Sequence, residues 1–126
     1  PFATPIDLNI HAINNLRNKL DGNLIGINSL EFAKILEDGR DFILIDVRTP
    51  EEREDRPVKA ENVIKIPLYE LRGNLESLPK DKKIITICEL GIRGYEAQRI
   101  LLCEGFQEVY NLEGGVYGLP RKLIDG

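Results

Sequence analysis

The chain has 126 residues, of which 42% are hydrophobic, and its net charge is −4. This length suits one domain that buries its own core, and the acidic balance argues against a nucleic-acid or membrane surface and favours a small-molecule or protein partner. The two cysteines, together with the absence of a signal-peptide core and of a membrane-length apolar run, favour free thiols in a reducing, cytoplasmic setting.

The first predicted element is an amphipathic helix over residues 6–20. Its apolar stripe consists of Ile6, Ile10, Ile13, Leu16 and Leu20. We predict that residues 1–22 are an N-terminal helix or linker and that residues 23–126 form the following domain. The chain lacks methionine and begins with Pro1, from which we expect a longer parent protein. The helix then serves another domain or, alternatively, folds back on its own.

Five short apolar runs follow this helix, and each predicts a β-strand. They occupy residues 24–27, 42–46, 62–66, 84–88 and 108–112. Between them lie helical patterns, one beginning at Asn28, which predicts a capping box with Glu31, and another over residues 94–105. Strands that alternate with helices are typical of parallel sheets covered on both faces. The predicted fold class is therefore α/β, with three layers around a five-stranded, mostly parallel sheet.

Cys88 ends the fourth predicted strand, where open α/β sheets bind their ligands. The following residues form a loop too short to cross the sheet: Glu89, Leu90, Gly91 and Ile92. A helix begins after it, near Arg93 or Gly94. The backbone N–H groups of the loop, the helix N-terminus and the Arg93 guanidinium predict a cradle for an anion over the Cys88 sulfur. The same field stabilises a thiolate, so Cys88 is the predicted nucleophile.

Simpler explanations exist for the residues that could carry chemistry. A lone cysteine at a strand end is often only a small buried residue, although the glycine and arginine after Cys88 favour a reactive one. Cys103 lies about 13 Å farther along the helix, at 1.5 Å per residue, and is predicted to be a packing residue. His11 is the only histidine and is predicted to be solvated, so we expect neither a Cys-His pair nor a metal site.

Four segments resemble successive motifs of rhodanese-like sulfurtransferase domains: FILIDVRTPEE at 42–52, NVIKIPLYELR at 62–72, CELGIRG at 88–94 and GFQEVYNLEGG at 105–115. The likeness covers residues 24–120 and implies that residues 23–126 are a rhodanese-like domain. The cysteine motif and the opening PFATPIDLNI are most similar to the rhodanese domains of flavin-dependent coenzyme A disulfide reductases and related NADH oxidases.

This resemblance implies a parent protein in which a flavoprotein domain binds FAD and NAD(P)H. The present chain has no G-x-G-x-x-G fingerprint and is expected to bind neither cofactor. The implied activity is sulfur transfer from a persulfide, polysulfide or thiosulfate donor to a thiol acceptor, for which coenzyme A is a candidate. Cys88 is then the persulfide-forming catalytic residue, with Arg93 beside it. The residues implied in substrate binding are Glu89, Leu90, Gly91, Ile92 and Gly94.

Several points stay open within the resemblance. Asp46 and Arg48 would brace the site, or they would form a strand-end cap with a surface ion pair of little energetic value. Glu89 would oppose small anions such as thiosulfate, unless its side chain points to solvent. The spacing from Cys88 to Arg93 resembles that of sulfurtransferases, whereas phosphatases of this fold have a longer loop. A phosphatase or arsenate reductase, and a non-catalytic persulfide-sensing module, remain alternatives.

Overall fold

The computed structural model of the protein describes residues 25–38 and 41–120. Its five strands form one sheet in the order β1-β5-β4-β2-β3. The strands are β1 (Ile25–Ile27), β2 (Phe42–Asp46), β3 (Val63–Lys65), β4 (Lys83–Ile87) and β5 (Val109–Leu112). Every pairing between them is parallel, so the predicted α/β class and five-stranded sheet are confirmed. Strands β2 to β5 begin and end within one residue of the predicted runs.

Helices connect these strands on both sides of the sheet. They are α1 (Ser29–Asp38), α2 (Pro50–Asp55), α3 (Leu68–Leu71) and α4 (Ile92–Cys103), with 3-10 turns at Arg72–Ser77 and Val116–Gly118. The predicted capping box of α1 is confirmed, because the Glu31 N–H donates to Asn28 Oδ1 at 2.8 Å and the Asn28 N–H donates to Glu31 Oε1 at 3.1 Å. Helix α4 begins at Ile92, one residue before Arg93, which is the earlier of the two predicted starts.

The core lies in two layers because successive strand residues point to opposite faces of the sheet. On one face, Ile45 and Ile84 pack with Leu101 of α4; on the other, Leu44 packs with Phe32 of α1. These two apolar layers, with the sheet between them, form the three-layer arrangement. They also fix the carboxyl ends of β2, β4 and β5 on one side of the domain, where Cys88 lies.

Some predictions concern parts of the chain outside the described residues. The predicted helix over 6–20, the boundary at residue 22 and the solvated His11 belong to this group. Among residues 25–38 and 41–120, no helix has the length and apolar character needed to cross a lipid bilayer.

Candidate active site

Cys88 lies directly after β4 and is almost completely buried, with 1% of its surface exposed. The N–H of Gly91 donates to the Cys88 sulfur at 2.9 Å. Gly91 has a φ of 103°, in the left-handed region that favours glycine. The tight turn therefore aims a backbone donor at the sulfur, as expected for a loop that stabilises a thiolate.

A second loop holds the cysteine loop in this shape. The Val116 N–H donates to the Cys88 carbonyl oxygen at 2.9 Å, and the Tyr117 N–H donates to that of Glu89 at 3.2 Å. A Cβ atom at Gly115 would overlap the Glu89 carbonyl, so glycine is required for this close approach. The cysteine loop thus rests on the segment after β5, whose role the sequence did not reveal.

Two buried polar side chains of the sheet hold the first turn of α4 in place. Asn111 donates through Nδ2 to the Gly91 carbonyl oxygen at 3.1 Å, and Thr86 donates through Oγ1 to that of Gly94 at 2.8 Å. A Cβ atom at Gly94 would overlap Asn111 Oδ1. Gly94, which the resemblance places in substrate binding, is therefore buried at the contact between α4 and β5. The absence of a side chain at this position lets α4 lie close to β5.

Asp46 and Arg48 form a buried pair behind the cysteine loop. Arg48 donates to Asp46 through Nε at 2.9 Å and through Nη2 at 2.8 Å, and to Glu89 Oε1 through Nη1 at 3.2 Å. Arg48 is 0% exposed and Asp46 is 2% exposed, so the alternative of a surface ion pair is wrong. Burial alone would lower the pKa of Arg48, but the hydrogen bonds and charges of Asp46 and Glu89 outweigh it and raise that pKa. The Glu89 side chain therefore points inward, toward Arg48.

Arg93 has a partner that the sequence did not reveal. The sequence predicts that its guanidinium helps to cradle an anion over the Cys88 sulfur, and in the structure both Nη atoms donate to the Glu52 carboxylate at 2.7 Å. This hydrogen bonding raises the pKa of Arg93 and lowers that of Glu52 to about 2. The charge of Cys88 is a smaller cause of the raised pKa of Arg93 than the hydrogen bonds with Glu52. In the structure Arg93 is thus held by Glu52 of α2.

Part of the role of Glu52 can be read from the sequence. Thr49 is the N-cap of α2 and Glu52 is its N3 residue, which makes Thr-x-x-Glu a capping box. The Thr49 N–H donates to Glu52 Oε1 at 2.9 Å, and the Glu52 N–H donates to Thr49 Oγ1 at 3.3 Å. The pairing with Arg93 joins residues 41 positions apart, and no local pattern reveals it.

Exposed apolar side chains border this site. Leu90 and Ile92, which the resemblance assigns to substrate binding, are 61% and 76% exposed. Tyr117 is half-exposed, and the Arg56 guanidinium lies 4.1 Å from the centre of its ring. The loop therefore offers an apolar rim beside the buried sulfur.

The prediction that Cys103 is a packing residue is wrong, because its side chain is exposed. Cys103 is the last residue of α4 and lies about 200° around the helix from the buried Leu101, at 100° per residue. It is thus far from Cys88 and turned to solvent. Across the described ranges, no cluster of histidine, cysteine or acidic residues could hold a metal ion.

Comparisons with known proteins match this geometry. Residues 29–120 match the family model of the rhodanese-like domain. A sulfurtransferase from Allochromatium vinosum is 30% identical over 105 residues, which cover 79% of this chain and 96% of that protein.

Two solved structures are more similar in sequence. Reduced CoADR-RHD from Bacillus anthracis is 40% identical, with a TM-score of 0.72, and the match covers 86% of this chain and 19% of that one. A NAD-dependent persulfide reductase from A. fulgidus is 44% identical, with a TM-score of 0.62, and the match covers 81% of this chain and 17% of that one. The present chain therefore spans less than a fifth of these two larger proteins.

Proposed function

The chain belongs to the rhodanese-like sulfurtransferase family, and we propose that its Cys88 accepts a sulfane sulfur and passes it to a thiol. The donor is a persulfide, a polysulfide or thiosulfate. The observation that carries this proposal is the hydrogen bond of 2.9 Å from the Gly91 N–H to the Cys88 sulfur. That donor belongs to a loop which ends at the N-terminus of α4, so developing negative charge on sulfur meets fixed positive dipoles.

In the first step, the Cys88 thiolate attacks the outer sulfur of a persulfide, R–S–SH. A new S–S bond forms at Cys88, the S–S bond of the donor breaks, and its electron pair leaves with R–S⁻. In the second step, an acceptor thiolate attacks the outer sulfur of Cys88–S–SH. This attack yields the acceptor persulfide and returns the Cys88 thiolate.

Hydrogen bonds to its backbone hold the cysteine loop in the shape that these two steps need. The Val116 N–H holds the Cys88 carbonyl, and Asn111 holds the Gly91 carbonyl, so the Gly91 N–H stays aimed at the sulfur. Arg93 contributes positive charge from the side of α2. A preorganised site of this kind stabilises the charge of the transition state without reorganising during the reaction.

The larger context is part of the proposal. We propose that the chain works beside a flavoprotein domain in the same polypeptide, with FAD and NAD(P)H bound by that domain and coenzyme A as a candidate acceptor. Support comes from the two similar structures, CoADR-RHD and a NAD-dependent persulfide reductase, in which the matching part is under a fifth of the chain.

Mass spectrometry of the protein after exposure to thiosulfate, polysulfide and an organic persulfide tests the sulfur-transfer step. We expect one added sulfur atom on the peptide that contains Cys88, and its removal by a thiol acceptor. Cys103→Ser should still take up sulfur, whereas Cys88→Ser should not. Sulfur that loads but cannot be passed on would favour a persulfide sensor, and efficient hydrolysis of an aryl phosphate would favour a phosphatase.

A further inference from the structure

Charged side chains lie around the cysteine loop and form ion pairs with one another. The charge cluster consists of Arg48, Arg93, Asp46, Glu52 and Glu89. Within this cluster two cations face three carboxylates, so its ion pairs leave one carboxylate charge in excess, while the further cations Arg53 and Arg56 lie beside it. The charge that reaches the thiol therefore depends on how these ion pairs are arranged.

The two arginines differ in whether a donor can reach them. Arg48 is fully buried and paired with Asp46, so it cannot meet a donor. Arg93 is 33% exposed, so a donor can reach it, but both of its Nη atoms donate to Glu52. Glu52 takes one N–H from each Nη atom and offsets the guanidinium charge, so a second oxyanion meets only the remaining N–H donors of a neutralised cation.

Glu89 adds a negative charge at the residue that follows the cysteine. It follows Cys88 directly, and its carboxylate accepts a hydrogen bond of 3.2 Å from Arg48. Its side chain is mostly buried and turned toward the site, not toward bulk water. Screening by solvent is therefore weaker than for a surface glutamate.

We propose that Glu52 and Glu89 determine donor specificity, Glu52 by withholding Arg93 and Glu89 by its own charge, so that the site disfavours the thiosulfate dianion and favours organic persulfides. This inference rests on the proposed sulfur transfer at Cys88. Glu52 and Glu89 act as specificity-determining residues, because they set which donor the sulfur can meet.

The two donors release leaving groups of different charge, which explains why the charge of the site discriminates between them. With thiosulfate, the Cys88 thiolate takes the outer sulfur, the S–S bond breaks, and sulfite leaves as a dianion with the electron pair. With an organic persulfide, the leaving group is a thiolate with one charge. Its organic tail can also contact the exposed Leu90 and Ile92. Only the thiosulfate reaction needs a free cation for the sulfonate oxygens.

The test compares kcat/KM for thiosulfate with kcat/KM for 2-hydroxyethyl persulfide in each variant. Glu52→Gln keeps the capping box, since glutamine also serves at N3, but removes the charge that holds Arg93. Glu89→Gln keeps an acceptor for Arg48, which Asp46 still neutralises. Each variant should raise the ratio of thiosulfate to persulfide about tenfold, mainly through a lower KM for thiosulfate. Both kcat/KM values are measured on the same protein sample, so a smaller folded fraction lowers them equally and leaves their ratio unchanged.

Matched controls remove the same charge elsewhere. Glu51→Gln changes the exposed neighbour of Glu52 on α2, and Glu96→Gln changes an exposed glutamate on α4. Neither should change the ratio. Adding salt should reduce the gain of Glu52→Gln, because a freed Arg93 acts through a screened charge. A purely structural role of Glu52 would not produce that salt dependence.

The results separate this inference from the proposed function. If wild-type Cys88 takes up sulfur but neither glutamine variant raises the ratio, donor selection by these glutamates is wrong while sulfur transfer stands. An equal rise in the control variants also overturns the inference. A rise in one glutamine variant alone assigns the selection to that glutamate and removes the other. If neither donor loads Cys88 in the wild type, sulfur transfer and donor selection both fail.

Discussion

The two cysteines lie at opposite ends of helix α4, and their surroundings differ in every respect that matters for reactivity. Cys88 precedes the helix, is buried, and accepts a hydrogen bond from the Gly91 N–H. Cys103 ends the helix and is exposed. A helix N-terminus presents N–H groups and positive potential, whereas a C-terminus presents carbonyl oxygens and negative potential. The helix therefore stabilises a cysteine thiolate at its N-terminal end and not at its C-terminal end.

The two ends also differ in how they are built. The C-terminal end closes through local bonds, such as the Glu104 N–H to the Ile100 carbonyl oxygen, and through Gly105 with a φ of 94°. The N-terminal end depends on distant residues, including Asn111 and Glu52. In this helix, the end beside the candidate site is assembled by tertiary contacts, while the other end is closed by local ones.

The largest expected effect concerns the two thiols themselves. Cys88→Ser should lower sulfur transfer at least about a thousandfold, because it removes the nucleophile. Cys103→Ser should leave turnover within about twofold of the wild type. Steady-state turnover with a persulfide donor measures both. Loss of activity in Cys103→Ser would reverse the assignment of the two ends.

The second largest expected effect is on stability and concerns the buried ion pair behind the cysteine loop. Asp46→Asn should lower the free energy of unfolding by about 3 kcal/mol, because Arg48 then keeps only Glu89 as a charged partner while buried. Asp41→Asn removes an exposed pair with Lys82 and should cost under about 1 kcal/mol. Urea unfolding measures the two values. Equal losses would show that burial does not distinguish these pairs.

Close packing at the N-terminal end of α4 is expected to have a smaller effect on the free energy of unfolding. Gly94→Ala should cost about 2 kcal/mol, because the added Cβ overlaps Asn111 Oδ1 and α4 must shift. Gly73→Ala places its Cβ in open space and should be close to neutral. Thermal unfolding of both variants tests this pair. A tolerated alanine at Gly94 would mean that the helix start is not tightly held by β5.

The smallest expected effect is the pH dependence of the Glu52 pair. The pKa of Glu52 is lowered to about 2 by its hydrogen bonds with Arg93, from an ordinary value of 4.5. Its stabilisation is therefore fully present above about pH 4.5 and is lost as the pH falls through about 2. Glu52→Gln should be about 1 kcal/mol less stable at neutral pH.

Urea titrations at several pH values measure this difference. The gap between wild type and Glu52→Gln should shrink as the pH falls below 4.5. Glu51→Gln is the control, because Glu51 is exposed on the same helix. A gap that stayed constant down to pH 2 would show that the ion pair does not cause it.

The sequence by itself determined the strands, the capping box of α1 and the turn at Gly91. These features depend on side-chain periodicity, on side-chain bonds to nearby backbone, and on the freedom of glycine at positive φ, all of which act between close neighbours. It also placed Cys88 at a strand end before a helix, which is why the candidate site could be located before any coordinates.

Tertiary structure alone decided what surrounds that cysteine. Arg93 is held by Glu52 from another helix, Gly94 is held against Asn111, and Cys103 is turned to solvent. Such contacts join residues far apart in the chain, and their energies depend on burial and on geometry, which no local pattern contains. The charge around Cys88 is therefore a property of the packed elements and not of the motif.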